Sequence, residues 1–280
     1  MDLRQATCFL IILALVTVRT LLLKRAVDHV SPDMTALLAG VGSVVCCLLW
    51  WVGGAVFRQT PTFSFNPVGT VAGLLKGGLL AYLMLIQQRL IDRSLSAASY
   101  VFPIAVGLIA VVEACCFGTE LSRGAMAAIG TLFFCGLIFF RFGHLARMQL
   151  IDKRRFVLMI LLVVGFGVCD KIGIPRIGWL PYLFFTGLSN VLVIGLRRCR
   201  LTRVSLRHAV LLGGTWAVPE LFFSYSLQTW LPVAFGYLAI ALRVPVLMLI
   251  SAQVYGEGRL REQLMFGLLA MAGVAMLFVR

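Results

Sequence analysis

Ten runs of about twenty mostly apolar residues, separated by short clusters of charge, limit what this chain can fold into. Twenty residues of helix rise about 30 Å, the thickness of a bilayer's hydrocarbon core. No water is available there, so backbone N–H and C=O groups must be satisfied within a helix or a closed barrel. The alternating pattern of a barrel is absent. The expected fold is an all-α polytopic membrane protein. Composition excludes a soluble alternative, because 61% of residues are hydrophobic, 13% are charged and mean hydropathy is +0.99. A soluble domain could not hide that much apolar surface.

The spans are expected at 6–27, 33–57, 69–91, 95–117, 123–142, 155–172, 179–196, 206–229, 231–254 and 261–279. Ser31-Pro32, Asn66-Pro67 and Gly256-Glu257-Gly258 punctuate the connections. The chain also repeats itself. Glu120 precedes Gly130 and Gly136 by the same intervals at which Glu257 precedes Gly267 and Gly273, and the two glutamates stand 137 residues apart, close to half of 280. Gly77-Gly78 with Gly213-Gly214, and Tyr100 with Tyr237, keep nearly that offset. The expected organisation is a five-helix repeat over 1–142, a basic connecting loop over 143–154 and a second repeat over 155–280. Five is odd, so the second unit enters the membrane the opposite way up, giving an inverted repeat. Gly73 and Gly77, echoed by Gly213-Gly214, have the small-residue spacing that lets membrane helices approach closely.

A net charge of +14 would suit nucleic acid, but the basic residues flank membrane spans, where they set orientation. Nucleic acid is therefore not an expected partner. The first apolar run begins after Arg4 and lacks a small-x-small cleavage site, so it is read as a membrane helix and not a signal peptide. Most of the eight cysteines lie in apolar runs without paired metal-ligand spacing and are read as packing residues. His29, His144 and His208 match no metal-binding pattern. Neither a phosphate loop nor a G-x-S-x-G elbow is present. No cofactor, no metal and no enzymatic activity are expected.

The order of motifs resembles the drug/metabolite transporter superfamily, in its EamA-like branch. The residues that carry the likeness are Gly118-Thr119-Glu120-Leu121-Ser122, Gly256-Glu257-Gly258-Arg259-Leu260, the preceding Leu242-Arg243, and Asp170-Lys171-Ile172-Gly173 closing the sixth span. Thr119, inserted between Gly118 and Glu120, departs from the pattern. The resemblance covers the whole chain and implies ten helices and the export or exchange of small metabolites, amino acids, drugs or nucleotide sugars.

Charges inside spans point to a site, since each costs about 3 kcal/mol or more at the bilayer centre. Arg243 in the ninth span and Glu220 in the eighth share a similar depth on neighbouring helices and are expected to pair. Trp216, Glu220 and Ser224 lie on one helical face and offer an aromatic platform, a charge and a hydroxyl. Lys76 and Gln87 share a face of the third span, where function and snorkelling to the surface are both open for Lys76. Arg19 is expected to snorkel. Glu113 is expected to be solvated or structurally paired near its span end, and Glu120 and Glu257 to complement helix dipoles. Tyr100 and Tyr237 suit either a pocket wall or the interfacial belt.

The function these features favour is a secondary transporter that moves a small organic metabolite by alternating access, with binding at the interface of the two repeats. The cations slightly favour an anionic or zwitterionic substrate such as an amino acid. A lipid-headgroup flippase or a non-transporting membrane protein is the alternative. The expected setting is the lipid bilayer of a cell membrane, multi-pass, read as a bacterial inner membrane, with a homodimer as one option.

Loops after odd-numbered spans hold most of the arginines and lysines, which places the stretches 147–155 and 197–207 in the cytoplasm and both termini outside. In a cysteine-free variant, a membrane-impermeant thiol reagent on intact cells is expected to label Ser64→Cys and spare Met148→Cys. Labelling of Met148→Cys with protection of Ser64→Cys would reverse the orientation.

Overall fold

The computed structural model describes residues 3–26, 28–56, 65–119, 123–142, 148–197, 203–229, 233–256 and 260–275. All regular structure among them is helical. In chain order the helices are α1 (Leu3–Ala26), α2 (Pro32–Val56), α3 (Pro67–Arg93), α4 (Leu95–Phe117), α5 (Arg123–Phe142), α6 (Leu150–Ile177), α7 (Trp179–Leu196), α8 (Leu206–Thr229), α9 (Val233–Ala241), α10 (Arg243–Val254) and α11 (Leu260–Ala275). Among the described residues, seven helical stretches are long and apolar enough to cross a membrane: those within α1, α2, α3, α4, α6 and α7, and the stretch Gly236–Val254. Their outer faces expose Leu49, Val52, Leu161 and Leu192 by more than half, an arrangement that lipid tolerates and water does not. The chain is a multi-pass, all-helical membrane protein.

Local chemistry sets the helix ends. Ser94 is extended and its hydroxyl accepts from the Ala97 N–H at 3.1 Å, opening α4. Gly118 closes the same helix at φ 61°, and Gly256 follows α10 at φ 63°, a left-handed conformation in which a side chain would be strained. The N-terminus of α7 borrows its cap from α8, because Gln228 Oε1 accepts from the Trp179 N–H at 2.8 Å. Two boundaries differ from expectation. The sixth span extends to Ile177, so Asp170 lies about two turns inside the helix and does not close it. The ninth span is interrupted at Leu242, which separates α9 from α10. Pro245, in the first turn of α10, has no N–H to offer the Ala241 carbonyl, and the break falls there.

The described helices fall into two compact units, each discontinuous in sequence. One comprises 1–17, 89–168 and 234–280, and the other 18–88 and 169–233. In the first, α4 packs on α5 and α10, and α11 packs on α5 and α10. Gly107 faces the ring of Phe133 and Gly136 faces Ile104, so the contact between α4 and α5 is made where side chains are missing. In the second, α2 packs on α7 and α8, and α7 packs on α8. Glycines again set the approach. Gly42 meets the backbone of Gly213, Gly40 meets Asn190 and Gly187, and Gly77 meets the Thr186 carbonyl. With its amide turned to satisfy both neighbours, buried Asn190 of α7 donates to the Ala36 carbonyl of α2 at 2.8 Å and accepts from the Ala81 N–H of α3 at 3.2 Å. The Thr186 hydroxyl donates to the Gly73 carbonyl of α3 at 3.3 Å. The close approach expected of Gly73, Gly77 and Gly213 is what the structure shows. Gly214 has nothing within 4 Å of where a Cβ would stand.

This difference gives a paired test. Gly77→Ala drives a methyl into the α7 backbone and is expected to cost about 1–3 kcal/mol in thermal unfolding of the detergent-solubilised protein. Gly214→Ala is expected to stay within about 0.5 kcal/mol of wild type. Equal behaviour of the two variants would contradict the packing described for α3 and α7.

Candidate functional site

Four charged side chains converge inside the unit formed by residues 18–88 and 169–233. Lys76 Nζ of α3 stands 2.7 Å from Asp170 Oδ1 of α6 and 3.8 Å from Glu220 Oε2 of α8. Arg19 Nη1 of α1 donates to Glu220 Oε1 at 3.1 Å. Two cations and two carboxylates sum to zero. Neutrality is what makes such a cluster tolerable in hydrocarbon, where one unpaired charge would be expelled or neutralised.

Its members are not equivalent. The side chains of Asp170, Lys76 and Arg19 are 0%, 2% and 5% exposed, and that of Glu220 is 15% exposed. Asp170 and Lys76 therefore form a closed pair. Glu220 is reached by both cations and is also the member most open to a solute.

Aromatic rings complete the site. The Arg19 guanidinium lies 4.0 Å from the centroid of Trp216, one turn before Glu220 on α8. Lys76 Nζ lies 5.3 Å from the centroid of Tyr182. The Tyr182 ring fits because Gly173 of α6 and Gly73 of α3 both lack side chains where it packs. Ala72, Cys169, Ile174 and Ile177 form the apolar surroundings of this ring.

Several polar atoms around Glu220 are buried and, among the described residues, have no hydrogen-bond partner. They are Arg19 Nε, Trp216 Nε1 and Ser224 Oγ. Buried polar groups are nearly always bonded, and leaving one unmade costs about 1–3 kcal/mol. Trp216, Glu220 and Ser224 share one face of α8, so two of these atoms flank the accessible carboxylate one turn to either side.

The sequence reading of this site is corrected in part. Arg19 does not snorkel: the Glu220 carboxylate and the Trp216 ring hold it inside. Lys76 is buried and paired and does not reach the surface. Asp170, which the sequence offers only within a motif closing the sixth span, is the most deeply buried charge of the cluster. Gln87 is buried on α3, while its neighbour Gln88 donates to the Val30 carbonyl at 2.7 Å. Glu113 is buried, so of the two expected roles the solvated one does not hold and the paired one stands.

Arg243, Tyr100 and Tyr237 belong to the other unit. The Arg243 guanidinium lies 4.1 Å from the Phe102 centroid, at the start of α10. Tyr100 is buried edge-on to Phe266 at 6.0 Å, and Tyr237 is buried on α9. Glu220 finds its cations, Arg19 and Lys76, within its own unit. Glu120 and Glu257 lie outside the described residues.

No protein-family model matches the chain, and no curated protein matches it either.

Removing Asp170 takes away the nearest anion of buried Lys76, whose other carboxylate, Glu220, stands 3.8 Å away. Asp170→Ala is expected to lower stability by about 3–5 kcal/mol. The double variant Lys76→Met with Asp170→Leu should recover most of that loss, as measured by thermal unfolding in detergent. A double variant as unstable as the single one would show that the pair is not the unit described.

Proposed function

We propose that the protein is a secondary transporter of a small zwitterionic or anionic metabolite, with Glu220 at the centre of its binding site. One observation carries this reading: a largely buried carboxylate shared by two cations is flanked on its own helix face by polar atoms that have no hydrogen-bond partner among the described residues. A purely structural ion pair needs neither the shared carboxylate nor the unbonded donors. A substrate carboxylate would accept from Arg19 Nε and the Trp216 N–H, and a substrate ammonium would take Glu220. A zwitterion adds no net charge to a neutral cluster, so an amino acid suits the site better than a multiply charged anion.

The wider reading is of ten spans in two inverted five-helix repeats that open alternately to the two sides of the membrane. Two features support it. Each compact unit draws segments from both halves of the chain, one joining 18–88 with 169–233 and the other joining 1–17 and 89–168 with 234–280. Gly118 and Gly256 take the same left-handed conformation at nearly the repeat offset. The resemblance to drug/metabolite transporters agrees with this plan, and the bacterial inner membrane is its natural setting.

Reconstitution into liposomes tests the proposal. Counterflow of radiolabelled amino acids and small organic acids, with and without a proton gradient, is expected to reveal at least one transported solute. Glu220→Gln should reduce its rate at least tenfold. Trp216→Phe and Ser224→Ala, which remove only the unbonded polar atoms, should raise the half-saturation concentration about tenfold, equivalent to about 1.4 kcal/mol each. Wild-type kinetics in all three variants would contradict the site. Lipid flipping without solute counterflow would replace a metabolite with a lipid headgroup as the cargo.

A further inference from the structure

A second feature lies at one end of the unit formed by residues 18–88 and 169–233, where α2, α3, α6, α7 and α8 each begin or finish. Gln228 near the end of α8 caps the start of α7. A side chain on Gly69, in the first turn of α3, would meet Ile177 and Arg176 at the end of α6. Trp50, near the end of α2, stands edge-on to Trp179 of α7 at 5.5 Å, and Trp179 stands edge-on to Tyr225 of α8 at 5.6 Å. The cluster is open on its outer side, where Trp50 is 53% exposed and Leu49 and Val52 are 66% and 64% exposed. Arg176, Gln228 and Thr229 are exposed at the ends of α6 and α8.

We infer that the cluster of Trp50, Trp179 and Tyr225 seats this end of the unit at the boundary between lipid headgroups and acyl chains. An indole or phenol has a broad apolar body and one polar handle, so it suits that boundary better than bulk water or the hydrocarbon centre. The surface changes in the order in which a bilayer presents it. Polar side chains stand at the helix ends, the aromatic cluster follows, and on α3 the exposed Val71 and Leu75 continue deeper. An aqueous setting would wet Leu49, Trp50 and Val52 together, and a deeper one would carry Arg176 and Gln228 into hydrocarbon. Depth agrees with this. Lys76 lies about nine residues into α3, Asp170 about seven before the end of α6 and Glu220 about eight before Gln228, or roughly 10–14 Å from this end at 1.5 Å per residue. A hydrocarbon core is about 30 Å thick, so charges from three helices fall at one level near its middle.

Depth-dependent fluorescence quenching of the full chain in phosphatidylcholine vesicles tests this, with lipids brominated either near the glycerol or near the chain end. In a variant that keeps Trp50 and has phenylalanine in place of the other four tryptophans, shallow bromine is expected to quench about twofold more than deep bromine. Leu75→Trp with all five native tryptophans replaced by phenylalanine sets a probe at the level of Lys76 on an exposed face, and the preference should reverse. The unsubstituted chain gives a second reading that does not depend on how these variants fold. A phospholipid with a diazirine close to its glycerol should label the peptide holding Leu49, Trp50 and Val52, and one with a diazirine at the chain end should favour the peptide holding Val71 and Leu75. Quenching of Trp50 by neither lipid, as water or a second copy of the chain over the cluster would give, overturns the inference. So does a preference for deep bromine at Trp50, or shallow labelling that misses residues 49–52 in the unsubstituted chain.

Discussion

The cost of placing charge in hydrocarbon governs the arrangement of the unit built from residues 18–88 and 169–233. Lys76 and Asp170 meet at 2.7 Å because a single charge without a partner is costly at that degree of burial. Their contact is one between α3 and α6. Arg19 and Glu220 form the corresponding contact between α1 and α8, with Trp216 covering the guanidinium. Glycines then allow what the charges require. Gly73, Gly77 and Gly173 bring α3 and α6 close enough to α7 for Tyr182 to stand beside Lys76.

Electrostatic neutrality and hydrogen-bond satisfaction separate in this cluster. Its charges balance, yet Arg19 Nε, Trp216 Nε1 and Ser224 Oγ lack partners among the described residues. Replacing a buried ion pair with apolar residues of similar volume is often neutral or stabilising, so a four-charge cluster is weak evidence for stability alone. A site that must accept and release a charged solute has reason to keep both the charges and the unspent donors. Glu220, with two cations and the greatest exposure, is where the proposed solute would first exchange for a protein contact.

Periodicity and length made the helices legible in the sequence, because a membrane span has to satisfy its own backbone whatever surrounds it. All ten expected runs overlap described helices, most within two or three residues at either end, but among the described residues seven stretches are long and apolar enough to cross a membrane, and those of α5, α8 and α11 are not among them. The break at Leu242 follows from Pro245, a signal present in the sequence but outweighed by the unbroken apolar run. Lys76, Glu220, Trp216 and Ser224 were legible as candidates because polar residues in a span demand a reason. Their partners were not. Arg19 and Asp170 are 151 residues apart and join the cluster through helix packing, and nothing in local sequence distinguishes an arginine that snorkels from one that turns inward to a carboxylate. Extending α6 to Ile177 was the step that moved Asp170 from a span end to the interior. Tyr182 and Asn190 carried no signal beyond being polar or aromatic within an apolar run.

The central claim is that the cluster exists to bind and not to hold the fold together. It is tested most directly by replacing all four charges together, Arg19→Met, Lys76→Met, Asp170→Leu and Glu220→Leu, and measuring thermal stability and solute counterflow on the same preparation. The account predicts a folded protein whose stability is close to or above wild type and whose counterflow is abolished. A folded variant that still transports would contradict it.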